Sequence, residues 1–296
     1  MWKMKFGAID IGTNAARLLV GEVDKNKQRL YVKKVSYTRI PLRLGEDVFD
    51  KGSISKKKAN DFVKTIQAFR LISEIFEVHS LRAVATSAMR EAKNAEKIIE
   101  KIYKETGVTI EIISGQEEAD LIFGNFEVLD IDREIPFIVI DVGGGSTEVS
   151  IFENGHLISS RSFEIGTLRS LKGKVDNKVW DVLHDWIDEN VDTTRPHQIF
   201  GTGGNINKIH KILGAKQNES VTVIDIQALH DQLEPLSVKK RVELLQLKPD
   251  RADVIVPAME IFLFILNQLG CTELFVPKVG LSDGMILKMN EQNLGL

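Results

Sequence analysis

The sequence predicts an α/β protein in which one supersecondary plan is used twice, and three observations carry that prediction. The segment Phe6-Gly7-Ala8-Ile9-Asp10-Ile11-Gly12-Thr13-Asn14 returns 131 positions later, Asp10 to Asp141, as Phe137-Ile138-Val139-Ile140-Asp141-Val142-Gly143-Gly144-Gly145-Ser146-Thr147. Each copy is an apolar β-type run that ends in Asp, breaks into glycine and resumes as a second strand, at 17–21 and 148–152, so each reads as a hairpin. Strands come first and helices afterwards in both halves, the order expected of two homologous α/β lobes. The chain of 296 residues is long enough for each lobe to bury its own core.

The elements follow in order. After the first hairpin come a strand at 29–38, a polar loop carrying Arg43-Leu44-Gly45-Glu46-Asp47, a helix over 55–76, a strand at 81–85, a helix over 87–105 and a strand at 109–113. The second half supplies its hairpin, a polar helix-rich middle at 178–190, a strand at 197–200 and a turn at 201–204 that opens a helix. The apolar stretch 254–269 is interrupted by Pro257, Glu260 and Asn267 and is shorter than the roughly 20 residues of a membrane span, so a buried core helix is expected. A final helix covers 281–292. The expected domains are 1–124 and 125–296, with the final helix able to pack back on the first. The boundary falls between Gly124 and Glu134, where Asp130-Ile131-Asp132-Arg133 is the most linker-like run.

Composition is that of an ordinary globular protein, 43% apolar and 27% charged. Cys271 is the only cysteine, which excludes an intrachain disulfide, suggests a buried thiol and makes a cytoplasmic location the default. No secretory signal is expected from residues 1–5, and neither a membrane nor nucleic acid is expected as a partner. The net charge of -3 is unevenly spread: residues 1–125 hold 22 Lys and Arg against 17 Asp and Glu, and residues 126–296 hold 17 against 25. That asymmetry either draws an anionic ligand in from one side or is only solvated surface.

The glycines carry the chemistry. Common phosphate loops pass from a strand through glycines into a helix, whereas these glycines lie between two strands, and the chain has no G-x-x-x-x-G-K-[ST]. A Rossmann or Walker site is therefore disfavoured. Successive backbone N–H groups in such a turn form an anion nest, and an Asp at the strand end can hold a divalent cation. Gly12, Thr13 and Asn14, with Gly143, Gly144, Gly145, Ser146 and Thr147, are thus candidate phosphate binders, and two facing turns would clamp a metal-bound polyphosphate. Asp10 and Asp141 are candidate ligands for Mg²⁺, with Mn²⁺ as substitute. Glu148 either completes the metal shell or orients water, or, as an alternating strand residue, points to solvent.

The two turns resemble the phosphate motifs of the superfamily of actin, sugar kinases and heat-shock chaperones. Three further segments, Ala85-Thr86-Ser87-Ala88-Met89-Arg90-Glu91-Ala92-Lys93-Asn94, Ile112-Ile113-Ser114-Gly115-Gln116-Glu117-Glu118-Ala119 and Gly201-Thr202-Gly203-Gly204, make the chain resemble the exopolyphosphatase and guanosine pentaphosphate phosphohydrolase family over nearly its whole length. The resemblance implies two duplicated actin-like, ribonuclease H-like α/β domains with an interdomain cleft, in a short form without an additional helical region. It implies Mg²⁺-dependent release of orthophosphate from inorganic polyphosphate or guanosine pentaphosphate, and a homodimer is admitted. The rivals are an ATP-dependent small-molecule kinase of the same superfamily and a regulator that binds guanosine tetraphosphate or ATP and hydrolyses little.

Position divides the Glu117-Glu118 pair. Ser114-Gly115-Gln116-Glu117 matches a capping box, which gives Glu117 a structural task. Glu118, one residue further into the first turn, can face the cleft and matches the family's catalytic glutamate, a general base for water. Arg90 places a cation in a helix's first turn, against the dipole, so phosphate held by Thr86, Ser87 and Arg90 is one explanation and a salt bridge to Glu91 or Glu46 the other. Arg43 and Arg169 are weaker phosphate candidates. Gly201, Thr202, Gly203 and Gly204 stand where the superfamily has its adenosine turn and are either a guanosine contact or scaffold. In Gly280-Leu281-Ser282-Asp283-Gly284, Ser282 and Asp283 depart from the family's Arg and Glu.

Overall fold

Both glycine turns join antiparallel strands, and everything else is built outward from them. The computed structural model describes residues 4–26, 29–126, 129, 131–132, 134–216 and 219–295. Asp130 and Arg133 of the linker-like run lie outside the described residues. The chain divides into two units, Met1–Ile131 with Val279–Leu296, and Asp132–Lys278.

In the first unit β1 (Lys5–Ile11), β2 (Ala16–Asn26) and β3 (Arg29–Ile40) form an antiparallel meander. There follow α1 (Leu44–Lys51), α2 (Lys56–Ile75), β4 (Ser80–Ala85), α3 (Ser87–Glu91), α4 (Ala95–Thr106), β5 (Ile110–Ile112) and α5 (Gly115–Phe123). The sheet order is β3-β2-β1-β4-β5, with β1, β4 and β5 parallel. Alternation decides the faces: Ile9, Ile11, Leu18 and Val20 pack with Phe62, Ile66, Phe69, Ile98 and Ile102 from α2 and α4.

Two expectations need correction here. The segment 43–47 is not a loop, because Leu44 and Val48 are buried apolar anchors and turn it into α1, entered through a left-handed Arg43 (φ 50°). The helix expected over 87–105 is two helices. Asn94 breaks it by exchanging two side-chain hydrogen bonds with the Ile54 backbone, accepting from its N–H at 3.0 Å and donating to its carbonyl at 2.8 Å.

The second unit contains β6 (Phe137–Val142), β7 (Thr147–Glu153), β8 (His156–Phe163), α6 (Thr167–Leu171), α7 (Asn177–Asn190), β9 (Gln198–Thr202), α8 (Gly204–Ile212), β10 (Ser220–Thr222), α9 (Val223–Leu233), α10 (Val238–Leu245), α11 (Pro249–Ala252), α12 (Ile255–Gln268) and β11 (Glu273–Phe275). Its order, β8-β7-β6-β9-β11-β10, repeats that of the first sheet with one added antiparallel edge strand. Even the irregularity repeats, since register shifts fall at Val20/Gly21 in β2 and at Ile151/Phe152 in β7. The apolar stretch is α12, buried on nearly all sides. The expected turn at 201–204 is shorter than predicted: Gly201 and Thr202 complete β9 and Gly204 begins α8, leaving Gly203 (φ 99°) to make the corner.

The last helix, α13 (Leu281–Leu294), packs on β1, β2, β3 and α5 of the first unit. A side chain at Gly284 would bring a Cβ within 1.7 Å of the Leu121 carbonyl oxygen in α5, so only glycine permits this approach. Asn125 reinforces it by donating to the carbonyls of Ile122 at 2.9 Å and Gly280 at 3.1 Å. Among the described residues no helix is long and apolar enough to cross a membrane. Burial pushes the Cys271 thiol up to about 11.

Candidate active site

Three parallel strands of the first unit, β1, β4 and β5, deliver candidate residues at their C-terminal ends, where open α/β sheets bind ligands. The turn after β1 is closed by the Gly12 amide on the Ala15 carbonyl at 3.1 Å. It is fastened to α1 by the Arg43 amide on Asn14 O at 2.9 Å and the Gly45 amide on Thr13 O at 3.1 Å. Arg43 does not reach outward: its Nε donates to Glu46 at 2.6 Å, which Lys58 also meets at 2.7 Å. Asp10 is buried and paired at 2.5 Å with Arg17, its cross-strand neighbour on β2. Arg17 carried no signal in the sequence, because only the hairpin register reveals the pairing.

At the end of β4 the Thr86 amide bonds to Ile11 O at 3.1 Å, which locks this corner to the end of β1. Thr86 and Ser87 are buried, and the Ser87 hydroxyl donates to Glu91 at 3.1 Å. The partner of Arg90 is neither Glu91 nor Glu46. Its Nη1 donates to the Ile113 carbonyl at 2.9 Å and meets Glu118 Oε2 at 3.4 Å. Arg90 and Glu118 thus stand together, on elements that follow neighbouring strands. Ser114 caps α5 by accepting from the Glu117 amide at 3.1 Å, as expected. The reciprocal half of the capping box is replaced: the Glu117 carboxylate pairs with Arg82 at 3.1 Å, and Arg82 is also held by Glu111 at 2.7 Å.

In the second unit the three-glycine turn is held from behind. The carbonyls of Gly143 and Gly144 accept from the amides of Thr167, Leu168 and Arg169, and the Gly145 carbonyl accepts from Arg169 Nε at 2.8 Å. Arg169 is buried in this supporting task rather than presented outward. Thr147 is also tied down, donating to Ile165 O at 2.6 Å. With the carbonyls occupied, the amides of Gly144 and Gly145 carry no hydrogen bond among the described residues, the condition for donating to an anion. A Cβ at Gly166 would lie 2.4 Å from Gly145 backbone atoms, so this glycine sets how closely the support approaches.

Asp141 and Glu148 are directly paired across β6 and β7 and therefore share a sheet face. Glu148 does not point to solvent; it is buried and accepts from Ser162 at 2.7 Å. On the other side of Asp141 lies Thr202 of β9, whose fully buried hydroxyl has no hydrogen-bond partner among the described residues. Gly203 lies over the carboxylate, where a Cβ would come within 2.8 Å of Asp141 Oδ1. Beyond it, burial and the neighbouring cations Lys211 and Arg251 lower the Lys208 pKa, and Arg251 donates to Gly204 O at 2.9 Å. No group of three or more His, Cys, Asp or Glu suited to a metal occurs among the described residues. A Mg²⁺ ion needs only one or two carboxylates beside water and phosphate, so the Asp141 and Glu148 pair fits it.

The Ppx/GppA phosphatase family matches residues 22–293 of this chain. The chain is similar to a bifunctional 3-dehydroquinate synthase/phosphatase of Fusobacterium nucleatum, with 28% identity over 89% of this chain and 43% of that protein, so it spans under half of that relative's length. It is also similar to exopolyphosphatase 1 of Mycobacterium bovis, with 25% identity over 96% of this chain and 88% of the relative. Among solved structures, an exopolyphosphatase from Cytophaga hutchinsonii shares the fold with a TM-score of 0.83 at 24% identity, covering 98% of both chains.

Proposed function

Because the chain belongs to the Ppx/GppA phosphatase family, we propose that it hydrolyses terminal phosphoanhydride bonds, releasing orthophosphate from inorganic polyphosphate and from guanosine pentaphosphate. The observation that carries this reading is the Arg90 and Glu118 pair at the C-terminal ends of parallel strands, a phosphate-binding cation beside a carboxylate able to take a proton.

In this reading the Gly144 and Gly145 amides, with Ser146, form a phosphate-binding turn in the second unit, and Arg90 with Thr86 and Ser87 neutralises phosphate charge in the first. Glu118 accepts a proton from a water whose oxygen attacks the terminal phosphorus. As the new P–O bond forms, the bridging P–O bond breaks and the shortened chain leaves. Asp141 and Glu148 would hold Mg²⁺ or Mn²⁺, which supplies charge neutralisation on the phosphates when bound. Asp10 is the weaker cation candidate of the two strand-end aspartates, since Arg17 already pairs with it. A cytoplasmic location accompanies the proposal.

The test is a phosphate-release panel on purified protein with polyphosphates of several lengths, guanosine pentaphosphate and ATP, with and without Mg²⁺ and with and without acceptor sugars. Orthophosphate from polyphosphate without an acceptor supports the reading. Phosphate transferred only to an acceptor, or tight nucleotide binding without release, would replace it with one of the two rivals.

A further inference from the structure

The residues flanking the two strand-end aspartates differ between the units in a way that points to one side chain. Cross-strand partners share a face, so β8, β7, β6 and β9 line up Ser162, Glu148, Asp141 and Thr202 in one polar row. The equivalent row in the first unit, on β3, β2, β1 and β4, reads Arg39, Arg17, Asp10 and Val84. Where the aspartate is neutralised by an arginine, its parallel-strand neighbour is apolar. Where the aspartate stands beside a second carboxylate, that neighbour carries a hydroxyl.

Among the described residues the hydroxyl is unused. Ser162 spends its own on Glu148 at 2.7 Å, whereas Thr202 is fully buried and has no partner among the described residues. Buried polar groups are almost always hydrogen-bonded, and those without a protein partner meet water or a ligand. The end of β9 also presses on the carboxylate, with the missing Cβ of Gly203 leaving room for Asp141 Oδ1.

We propose that Thr202 is a positioning residue for a hydrated divalent cation at Asp141, its hydroxyl bonding a cation-bound water. The inference rests on the cation reading given above. A small divalent cation keeps several of its waters, and groups that orient this outer layer contribute to affinity.

The experiment titrates Mn²⁺ alone, without polyphosphate, and reads bound metal by electron paramagnetic resonance in wild type, Thr202→Val, Thr202→Ala and Thr202→Ser. The expected result is about a 10-fold weaker Mn²⁺ affinity for the Val and Ala variants and wild-type affinity for Ser. Melting in the absence of cation checks the fold, where Thr202→Val should be no less stable because it removes an unsatisfied buried hydroxyl. Unchanged affinity in Val and Ala, or a loss in Ser equal to theirs, overturns the role of Thr202 and leaves the Asp141 cation site standing. A wild-type protein that binds no Mn²⁺ overturns both.

Discussion

Glu117 and Glu118 are adjacent and engage different arginines, Arg82 and Arg90, so they make separable forecasts. Glu118→Gln should lower kcat at least about 100-fold in phosphate release, the usual worth of a general base. Glu117→Gln should change it little, because its partly exposed ion pair contributes modestly. Asp141→Ala should abolish cation-dependent turnover with the unfolding transition retained, and normal metal dependence in that variant would remove Asp141 from the site. Asp283 gives a pH forecast. Burial raises its pKa, against the lowering pull of Lys34 and the Gly280 amide. Its contribution to stability is therefore full below the ordinary carboxyl value of 3.8 and declines as pH rises through the higher folded value. Asp283→Asn should gain on wild type as pH rises above 3.8 in urea unfolding. At this scale the motif residues were legible in the sequence, but their partners were not. Strand register set Arg17 beside Asp10 and Thr202 beside Asp141, and the tertiary fold set Arg82 of β4 against Glu117 of α5.

Among elements, α5 carries Glu118 and is braced by α13 through the close approach at Gly284. Gly284→Ala should cost about 1–3 kcal/mol in chemical unfolding, because the clash is with backbone rather than with the end of a flexible side chain. It should also depress kcat more than a comparably destabilising change in α10, where no residue is buried. The hairpins and α12 were readable because apolar runs announce them, whereas α7 was expected only as a polar helical stretch. The three-residue strands β10 and β11 fell below any periodic signal, and the α3 to α4 break depends on Asn94 meeting Ile54, a contact 40 residues distant in sequence.

For the whole molecule, the duplicated plan visible in the two Asp-glycine segments extends to the order of five strands in each sheet. The second copy's added edge strand and its helices α9, α10 and α11 left no repeat signal to find. The positive excess in residues 1–125, 22 basic against 17 acidic, forecasts a KM for polyphosphate that rises between about 50 and 500 mM salt while kcat holds, measured by initial rates. A salt-independent KM would assign that excess to solvated surface. The order of the chain through the units has its own consequence. The second unit is one uninterrupted stretch, Asp132–Lys278, whereas the first is completed only by Val279–Leu296. During synthesis the later unit therefore has all its residues before the earlier one does, and the helix bearing Glu118 lacks its brace until Val279–Leu296 has emerged from the ribosome. A nascent chain arrested before α13 would hold every proposed phosphate-binding residue and still await the piece that steadies its base.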